Sequence, residues 1–257
     1  MNLSQSEMPT KSINYLILAL IVGLAIVYQA FNHFVQRPDD QYDIFELLLS
    51  TSYVVASIAA FIVAKRYWRS EIFGKTYFAL ALAYLVYFVG DEIFFYYTNV
   101  MHVEAFPSFA DVFYFVFYPF AGYHLMKNST YFKRKFEFKI KLELMVVPIV
   151  IAIAYAIIAY DSLGEANFDY YYGVVFVAAD AILLGFALVG AQTFRQSILG
   201  PVWGLIVLGI IFYTVADIWY YYLELFGQYS DSHIVNMFWL LNTMLVTYAL
   251  YKHQKTI

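Results

Sequence analysis

The sequence contains no cysteine and few charged residues. None of the 257 residues is Cys, which excludes disulfides, thiolate catalysis and iron–sulfur clusters. Charged residues make up 13% of the chain, against about 25% in soluble domains, and 63% of the residues are hydrophobic. A soluble fold of this composition would have too few polar residues to cover its surface. We therefore expect the lipid bilayer to be the solvent for most of the chain.

Long apolar stretches take up most of the sequence, and the breaks between them are too short for an inserted soluble domain. A helix that crosses a bilayer needs about 20 apolar residues. Eight such spans are predicted, at residues 13–34, 44–65, 75–98, 107–127, 141–160, 170–191, 201–225 and 233–251. No small-residue cleavage site follows the first apolar stretch. We therefore interpret residues 14–34 as a retained helix and not as a signal peptide.

The basic residues predict the orientation of these spans. If successive spans alternate in direction, 14 of the 15 Lys and Arg residues fall on one side and only Arg37 on the other. Because basic loops stay in the cytoplasm, both termini are predicted to be cytoplasmic. The basic side carries Lys11, Lys65, Arg66, Arg69, Lys75, the run from Lys127 to Lys141, Arg195, Lys252 and Lys255. The opposite side carries the acids Asp39, Asp40, Asp43, Glu104, Asp161, Glu165, Asp169 and Asp231.

The second half of the sequence repeats the first at a shift of 126 residues, so that Asp91 aligns with Asp217 and Tyr87 with Tyr213. The other matched pairs are Asp43 and Asp169, Arg69 and Arg195, Ile72 and Ile198, Gly74 and Gly200, Tyr96 and Tyr222, and, after a one-residue gap, Phe113 and Phe238, Tyr123 and Tyr248, Leu125 and Leu250, and Lys127 and Lys252. Four helices return the chain to its starting side, so both halves run the same way. We predict an all-α polytopic membrane protein with eight transmembrane helices, arranged as two tandem four-helix repeats over residues 1–128 and 129–257.

Four aspartates lie inside predicted spans, namely Asp91, Asp111, Asp180 and Asp217. Asp91 follows Lys75 by 16 residues, roughly 24 Å along a helix that rises about 1.5 Å per residue. That depth lies in the outer part of a hydrocarbon core about 30 Å thick, and Asp217 reaches the same depth. Acids within a membrane normally face the bundle interior or a watery cavity. If Asp91 and Asp217 approach each other, they could share a proton. We expect polar groups in the outer half of the bundle and an almost purely apolar inner half.

These positions predict a pocket that opens to the outside, ringed by tyrosines such as Tyr87, Tyr213 and Tyr220. The candidate ligand-binding residues are Asp91, Asp217, Asp111, Asp180, Asn236, Tyr96 and Tyr222. Structural alternatives stay open for three of them. Asp91 could bond a tyrosine hydroxyl and simply hold helices together. Asp111 could complete a capping box with Ser108 in "PSFAD", and Asp180 could be a helix–helix hydrogen-bond partner.

No pattern in the sequence predicts a cofactor or a metal. His33, His102 and His233 lie on the outer side without ligand spacing, although a surface metal site there is conceivable. His33 and His124 lie at opposite helix ends, which disfavours a haem between them. Every lysine is cytoplasmic or interfacial, so a retinal Schiff base is excluded. We expect no cofactor, no metal and no nucleic-acid partner; the bilayer is the expected partner, with a separate membrane or cytoplasmic protein as a further one.

A stretch of the first half, "YFVGDEIFFYYTNVMHVEAFPSFADVFYFVFYPFAGYHL", resembles the multi-helix membrane sensor region of bacterial diguanylate cyclases and histidine kinases. The matching positions are Gly90, Asp91, Pro107, Ser108, Ala110, Asp111, Tyr114, Tyr118 and Pro119. The stretch "ADIWYYYLELFGQYSDSHIVNMFWLLNTMLVTYAL", with Asp217 and Trp239, is similar to the later part of that region. The resemblance implies a sensing module of a prokaryotic cytoplasmic membrane. Since only five residues follow Lys252, we expect no output domain in this chain.

A second, weaker resemblance is to the lysoplasmalogenase-like (YhhN) family, which also has eight helices, with a G-D on an early helix and an S-D on a late one. It implies hydrolysis of an ether lipid with Asp91 and Asp217 as acid and base, although Ala216 replaces the serine. Our preferred prediction is a stand-alone membrane module for sensing or ligand binding, without catalysis. The alternatives are an intramembrane lipid hydrolase and an accessory subunit of a larger membrane complex.

Overall fold

The computed structural model describes residues 13–35, 43–103, 106–133 and 136–256, except for the side chains of residues 139, 141 and 256. Some charges on which the predicted orientation rests lie outside this description. They are Lys11, Arg37, Asp39, Asp40, Glu104, Arg134, Lys135 and the side chains of Lys139 and Lys141. The remaining charged residues can be placed on the structure.

Within the described ranges the chain forms eight α-helices and no strand. The helices are α1 (Tyr15–Phe34), α2 (Ile44–Arg66), α3 (Phe73–Phe95), α4 (Ala110–Phe132), α5 (Phe138–Leu163), α6 (Phe168–Phe194), α7 (Gly200–Leu225) and α8 (Val235–Thr256). A π-helical turn, Tyr96–Val100, extends α3. The prediction of an all-helical chain is confirmed, and each helix overlaps one predicted span.

Polar side chains mark where several helices start. Asp43 Oδ1 accepts hydrogen bonds from the backbone N–H groups of Phe45 and Glu46, the first turn of α2. Asn14 and Asn167 cap α1 and α6 in the same way. Such caps pair N–H groups that have no partner inside the helix. Gly164 ends α5 at a φ of 71°, a left-handed conformation that glycine adopts without steric cost.

Of the eight described helices, six are long and apolar enough to cross a membrane, which indicates a membrane protein. They are α1, α2, α3 with its π-helical turn, α5 from Leu142, α6 and α7. The other two, α4 and α8, contain more polar residues, and these are buried inside the bundle. In α4 they include His124 and Asn128, and in α8 Asn236 and Asn242. The mean hydropathy of a helix does not distinguish residues that face the bundle interior from those that face lipid, so these buried polar residues lower the values of α4 and α8.

Six of the helices pack side by side in a closed ring. Going round it, α2 packs against α3, α3 against α4, α4 against α6, α6 against α7, α7 against α8, and α8 against α2. The other two helices lie outside the ring, α1 against α8 and α5 against α6 and α7. The ring therefore encloses an interior to which each of its six helices can contribute side chains.

The two ends of the bundle differ in charge, and we name them accordingly. The acidic end carries the α1–α2, α3–α4, α5–α6 and α7–α8 connections. The basic end carries the α2–α3, α4–α5 and α6–α7 connections. At the acidic end Asn32 Nδ2 donates to the backbone oxygen of Asp231 at 3.0 Å. At the basic end the ring of Tyr67 lies 5.2 Å from that of His253.

The half of the bundle near the basic end is not the apolar region expected from the sequence. Five fully buried side chains there carry a nitrogen atom or a phenol oxygen: Tyr77, His124, Asn128, Trp203 and His253. The expectation was wrong because these residues are scattered along the sequence, on four different helices, and meet only when the ring closes. One of them, His124, is anchored by a 3.0 Å hydrogen bond between its Nδ1 and the backbone oxygen of Thr76.

Candidate functional site

A cavity of about 110 Å³ lies inside the ring, in the half near the acidic end. All six ring helices contribute to its wall, together with α1 and the α7–α8 connection. Its acidic lining residues are Glu46, Asp91, Asp111, Asp217 and Asp231. Its aromatic lining residues are Tyr28, Tyr53, Tyr87, Tyr114, Tyr118, Tyr213, Tyr220, Tyr221, Tyr229, Phe94, Phe106, Phe176 and Trp239. Leu49 and Asn236 complete the lining.

Asp91 lines the cavity from α3 and is held by a tyrosine of α4. The hydroxyl of Tyr114 donates to Asp91 Oδ1 at 3.0 Å. Gly90 makes this contact sterically feasible. A Cβ atom at position 90 would lie 2.8 Å from Cε1 of Tyr114, closer than real Cβ contacts allow. In the "GD" pair of the sequence, Asp91 thus supplies the acid, and Gly90 leaves room for Tyr114, the hydrogen-bond donor of that acid.

Asp217 lines the same cavity from α7 and accepts hydrogen bonds from two neighbouring helices. The indole nitrogen of Trp239, on α8, donates to Asp217 Oδ1 at 2.5 Å. The hydroxyl of Tyr118, on α4, lies 3.5 Å from Oδ2, a longer and weaker contact. Only 5% of the Asp217 surface is exposed. The carboxyl group is therefore oriented by neutral aromatic donors.

Asp91 and Asp217 line the same cavity, and each accepts from a donor on the following helix of the ring. A further carboxyl group, that of Asp180 on α6, comes close to Asp217, because the Tyr118 hydroxyl lies within 3.5 Å of both. Asp180 is fully buried, does not line the cavity, and accepts from the Tyr118 hydroxyl at 2.9 Å. The hydroxyl carries one proton, and its shorter contact is the one to Asp180. Asp180 thus joins α6 to α4 through Tyr118, behind the cavity wall.

Asp111 and Asn236 line the cavity near the starts of α4 and α8. Asp111 Oδ2 accepts from the Ser108 N–H at 2.6 Å, and Ser108 Oγ accepts from the Ala110 N–H at 3.2 Å. This is close to the capping arrangement predicted from "PSFAD". Asn236 Nδ2 donates to the backbone oxygen of Asp231 at 2.6 Å. Both residues therefore combine a local structural role with a position on the cavity wall.

Tyr96 and Tyr222 lie away from the cavity, although the sequence placed them beside it. Tyr96 is 52% exposed and contributes to a shallow outer groove between the ends of α3 and α4. Tyr222 is 40% exposed, and its ring packs 4.9 Å from that of Phe226. Each follows its aspartate by five residues, and at about 100° per residue this turns the side chain roughly 140° around the helix.

Several tyrosines of the cavity wall were not predicted from the sequence to line a pocket. Tyr53, on α2, stacks 4.4 Å from Tyr87, which in turn lies 4.8 Å from Tyr114. Tyr114 and Tyr118 follow Asp111 by three and seven residues, so helical periodicity could have predicted that all three lie on the same face of α4. Tyr53 follows the lining residues Glu46 and Leu49 of α2 by seven and four residues, so the same periodicity applies to it once Glu46 is recognised.

The α7–α8 connection, residues 226–234, covers part of the cavity. Tyr229 donates from its hydroxyl to Asn236 Oδ1 at 3.2 Å, and its ring packs 4.8 Å from that of Tyr220. Burial, together with nearby acids such as Asp231, raises the pKa of Tyr229 well above its ordinary value. The phenol therefore stays neutral and remains a hydrogen-bond donor at the cavity mouth.

No group of three or more His, Asp or Glu residues in the described part of the chain has the geometry to hold a metal ion. The three histidines considered for such a site are separate in environment. The ring of His233, for example, packs edge-on against Trp219 at 5.3 Å.

Comparisons with protein-family models, with curated proteins and with solved structures find no match to this chain. Its function has to be inferred from the cavity and the residues around it.

Proposed function

We propose that this protein is an integral membrane module that binds a small ligand in the cavity and senses it. The observation that carries the proposal is the cavity inside the ring, with Asp91 and Asp217 on its wall. Natural binding sites combine apolar and aromatic walls with a few oriented polar groups, and this cavity has both. The resemblance of the "GD" and "PSFAD" segments to bacterial membrane sensor regions supports the same function. The signal then passes to a separate membrane or cytoplasmic protein.

In this proposal all eight helices cross a cell membrane, the cytoplasmic membrane of a prokaryote. The basic end and both termini face the cytoplasm, and the cavity opens to the outside. The support comes from the distribution of 14 of 15 basic residues to one side of the spans. Exposed apolar side chains on α1 and α5, such as Leu20, Val27, Ile149 and Ile153, are suited to contact lipid.

We also propose that the chain consists of two four-helix repeats, residues 1–128 and 129–257. Exchanging α2 with α6, α3 with α7 and α4 with α8 leaves the order of contacts around the ring unchanged. The hydrogen bonds of the two aspartates support the same relation. Tyr114 and Trp239 are 125 residues apart, and each donates to the aspartate of the preceding helix. The outer helices α1 and α5 depart from the symmetry, since they pack on different partners.

Native mass spectrometry tests whether the cavity holds a ligand. The protein would be extracted from its membrane in a mild neutral detergent and compared with Asp217→Asn and with Asp161→Asn, an exposed acid on α5. We expect wild type and Asp161→Asn to carry the same small-molecule adduct, and Asp217→Asn to lose it. The proposal fails if no adduct is present, or if all three proteins carry it equally.

The pair of Asp180 and Asp217 favours one second candidate, the intramembrane lipid hydrolase. Two carboxyl groups that approach one hydroxyl, that of Tyr118, can serve as general acid and general base if one is protonated and the other ionised. Asp217 lines the cavity, where a lipid head group would have to enter. In this alternative, purified protein hydrolyses the vinyl-ether bond of lysoplasmalogen, and Asp217→Asn abolishes turnover. A wild-type protein without turnover would eliminate the hydrolase and leave the binding function intact.

A further inference from the structure

Asp91 and Asp217 have neutral side-chain hydrogen-bond donors. Asp91 accepts from Tyr114, and Asp217 accepts from Trp239 and Tyr118, so none of their side-chain hydrogen-bond donors carries a charge. No Lys, Arg or His occurs among the lining residues that the structure describes. Negative charge on these acids is therefore not neutralised at the cavity wall by a described basic side chain. A bound cation would be attracted there in surroundings of low dielectric constant.

Aromatic rings dominate the rest of the wall. Of the 20 lining residues, 13 are Tyr, Phe or Trp, including Tyr53 and Tyr87 near Asp91 and Tyr220 near Trp239. The ring of Tyr220 lies 5.7 Å from that of Trp239. The faces of Trp, Tyr and Phe rings attract organic ammonium groups, and cages of such rings are a known means of recognising them.

The same wall is poorly suited to a bare metal ion. Hard cations such as Ca²⁺ take about 6–8 oxygen ligands at short distance. Here one oxygen of Asp91 is already engaged by Tyr114, and one oxygen of Asp217 by Trp239. The volume of about 110 Å³ is also closer to that of an organic ligand. A protein cavity of about 150 Å³ accommodates benzene.

We propose that the ligand of this cavity is a small organic cation, an ammonium group with short alkyl substituents, held between Asp91 and Asp217 against the aromatic wall. The inference rests on the proposed ligand-binding function and names the chemical class of the ligand. The acids supply charge, the rings supply cation–π contacts, and the alkyl substituents fill the apolar volume.

The experiment uses the purified full chain in a neutral maltoside detergent, which contains no choline head group. The probes are tetramethylammonium chloride, neopentyl alcohol as a neutral molecule of similar shape, and potassium chloride at equal ionic strength. We expect tetramethylammonium to raise the unfolding temperature in a saturable way, and the other two to have no such effect. Asp91→Asn and Asp217→Asn should each weaken tetramethylammonium binding at least tenfold, whereas the exposed Asp161→Asn should not.

A further variant keeps the test decisive if an aspartate variant does not fold. Tyr220→Leu removes an aromatic face without changing any acid, and we expect it to weaken binding of tetramethylammonium several-fold. Binding of neopentyl alcohol equal to that of tetramethylammonium would overturn the cation inference but leave the ligand-binding function standing. If neither probe binds and the native protein carries no adduct, both proposals fail.

An independent observation comes from the five buried residues near the basic end. The ring of Tyr77 lies 4.7 Å from His124 and 4.8 Å from His253, and His124 stacks 5.9 Å from Trp203. Six buried polar atoms in this group have no hydrogen-bond partner among the residues that the structure describes. They are Tyr77 Oη, His124 Nε2, Asn128 Oδ1, Trp203 Nε1 and both ring nitrogens of His253. Buried polar atoms normally have a partner, from the protein or from ordered water.

The chemistry of these atoms defines what can fill the space between them. Trp203 Nε1 can only donate. His124 Nδ1 lies against a backbone oxygen and so carries the proton, which leaves Nε2 as an acceptor. Asn128 Nδ2 donates to the backbone oxygen of His124, which leaves its Oδ1 as an acceptor. A cation would be repelled by the N–H of Trp203. An anion would be repelled by the two acceptor atoms, His124 Nε2 and Asn128 Oδ1. Only a molecule that both donates and accepts satisfies the set.

We therefore infer that ordered water molecules pair with these buried atoms and bridge α3, α4, α7 and α8. Hydroxyl-radical footprinting by brief X-ray exposure tests it, because trapped water oxidises neighbouring side chains that bulk solvent cannot reach. Rates would be normalised to those of the denatured chain. We expect Trp203 and Tyr77 to be oxidised at least fivefold faster than Phe117, which is buried, does not line the cavity and is not one of the five residues. Equal protection of the three residues would overturn the inference.

Discussion

The indole N–H of Trp239 donates a hydrogen bond to Asp217, with 2.5 Å between Nε1 and Oδ1. This bond joins α8 to α7 at the cavity wall. In the other half of the ring, Tyr114 joins α4 to α3 through Asp91 at 3.0 Å. Each aspartate is thus oriented by a neutral donor from the following helix, and the two arrangements differ in the chemical nature of the donor.

Replacing Trp239 with Phe should destabilise the protein, because it removes the shortest hydrogen bond of Asp217 and leaves a buried carboxyl oxygen unpaired. Such a loss costs about 1–3 kcal/mol of unfolding free energy. For a chain of this size each kcal/mol lowers the unfolding temperature by about 2–4 °C. Thermal unfolding in detergent measures the effect. Trp219→Phe is the matched control, since Trp219 makes ring contacts with His233 and Phe238. Equal shifts for both variants would contradict the assigned role of the bond.

Replacing Gly90 with Ala should displace Tyr114 from Asp91. The new Cβ would lie 2.8 Å and 2.9 Å from two ring atoms of Tyr114, so the ring or the helix has to shift. We expect a lower unfolding temperature and weaker ligand binding. Gly122→Ala on α4 is the control, because no atom lies within 4 Å of its added Cβ. Alanine favours a helix over glycine by about 1 kcal/mol, so the control should be neutral or stabilising.

The hydrogen bond from Tyr118 predicts different outcomes for two substitutions of Asp180. The side-chain oxygen of asparagine can still accept from the Tyr118 hydroxyl. Asp180→Asn should therefore retain the unfolding temperature of the wild type within a few degrees. Asp180→Leu removes the acceptor of the 2.9 Å bond, so it should unfold at a markedly lower temperature. Similar losses for the two variants would contradict the role assigned to this bond.

The sequence was sufficient to predict the helices, because apolar runs separated by short polar breaks leave few alternatives in a membrane protein. It also pointed to Asp91 and Asp217, since an acid inside an apolar run stands out. It did not reveal the approach of Asp180 and Asp217 to one hydroxyl, that of Tyr118, or the meeting of His124 with His253. Those contacts join residues on separate helices, and they depend on which helices are neighbours in the ring and on the rotation of each helix about its axis.

The α7–α8 connection should respond to pH through His233. Burial lowers the pKa of His233 below its ordinary value of 6.5, and its Nδ1 accepts from the Val235 N–H at 3.3 Å. A protonated ring cannot accept that bond. Because the unfolded chain takes up the proton more readily, the contribution of His233 to stability is complete above pH 6.5 and is lost as the pH falls through the lowered folded value. We expect His233→Asn, which keeps an acceptor but does not titrate, to lose less stability than the wild type between pH 6.5 and 5.

Because the chain has no cysteine, single introduced thiols can report on which side of the membrane each connection lies. Ser230 is exposed in the α7–α8 connection at the acidic end, and Gln196 is exposed between α6 and α7 at the basic end. In intact bacterial cells a membrane-impermeant maleimide should label Ser230→Cys and should leave Gln196→Cys unlabelled until the cells are lysed. Thr130→Cys, exposed near the end of α4, should behave like Gln196→Cys if the less apolar α4 also crosses the membrane. Labelling of Thr130→Cys in intact cells would mean that α4 does not cross, and the outward-facing cavity would then have to be abandoned, since α4 supplies Asp111, Tyr114 and Tyr118 to its wall.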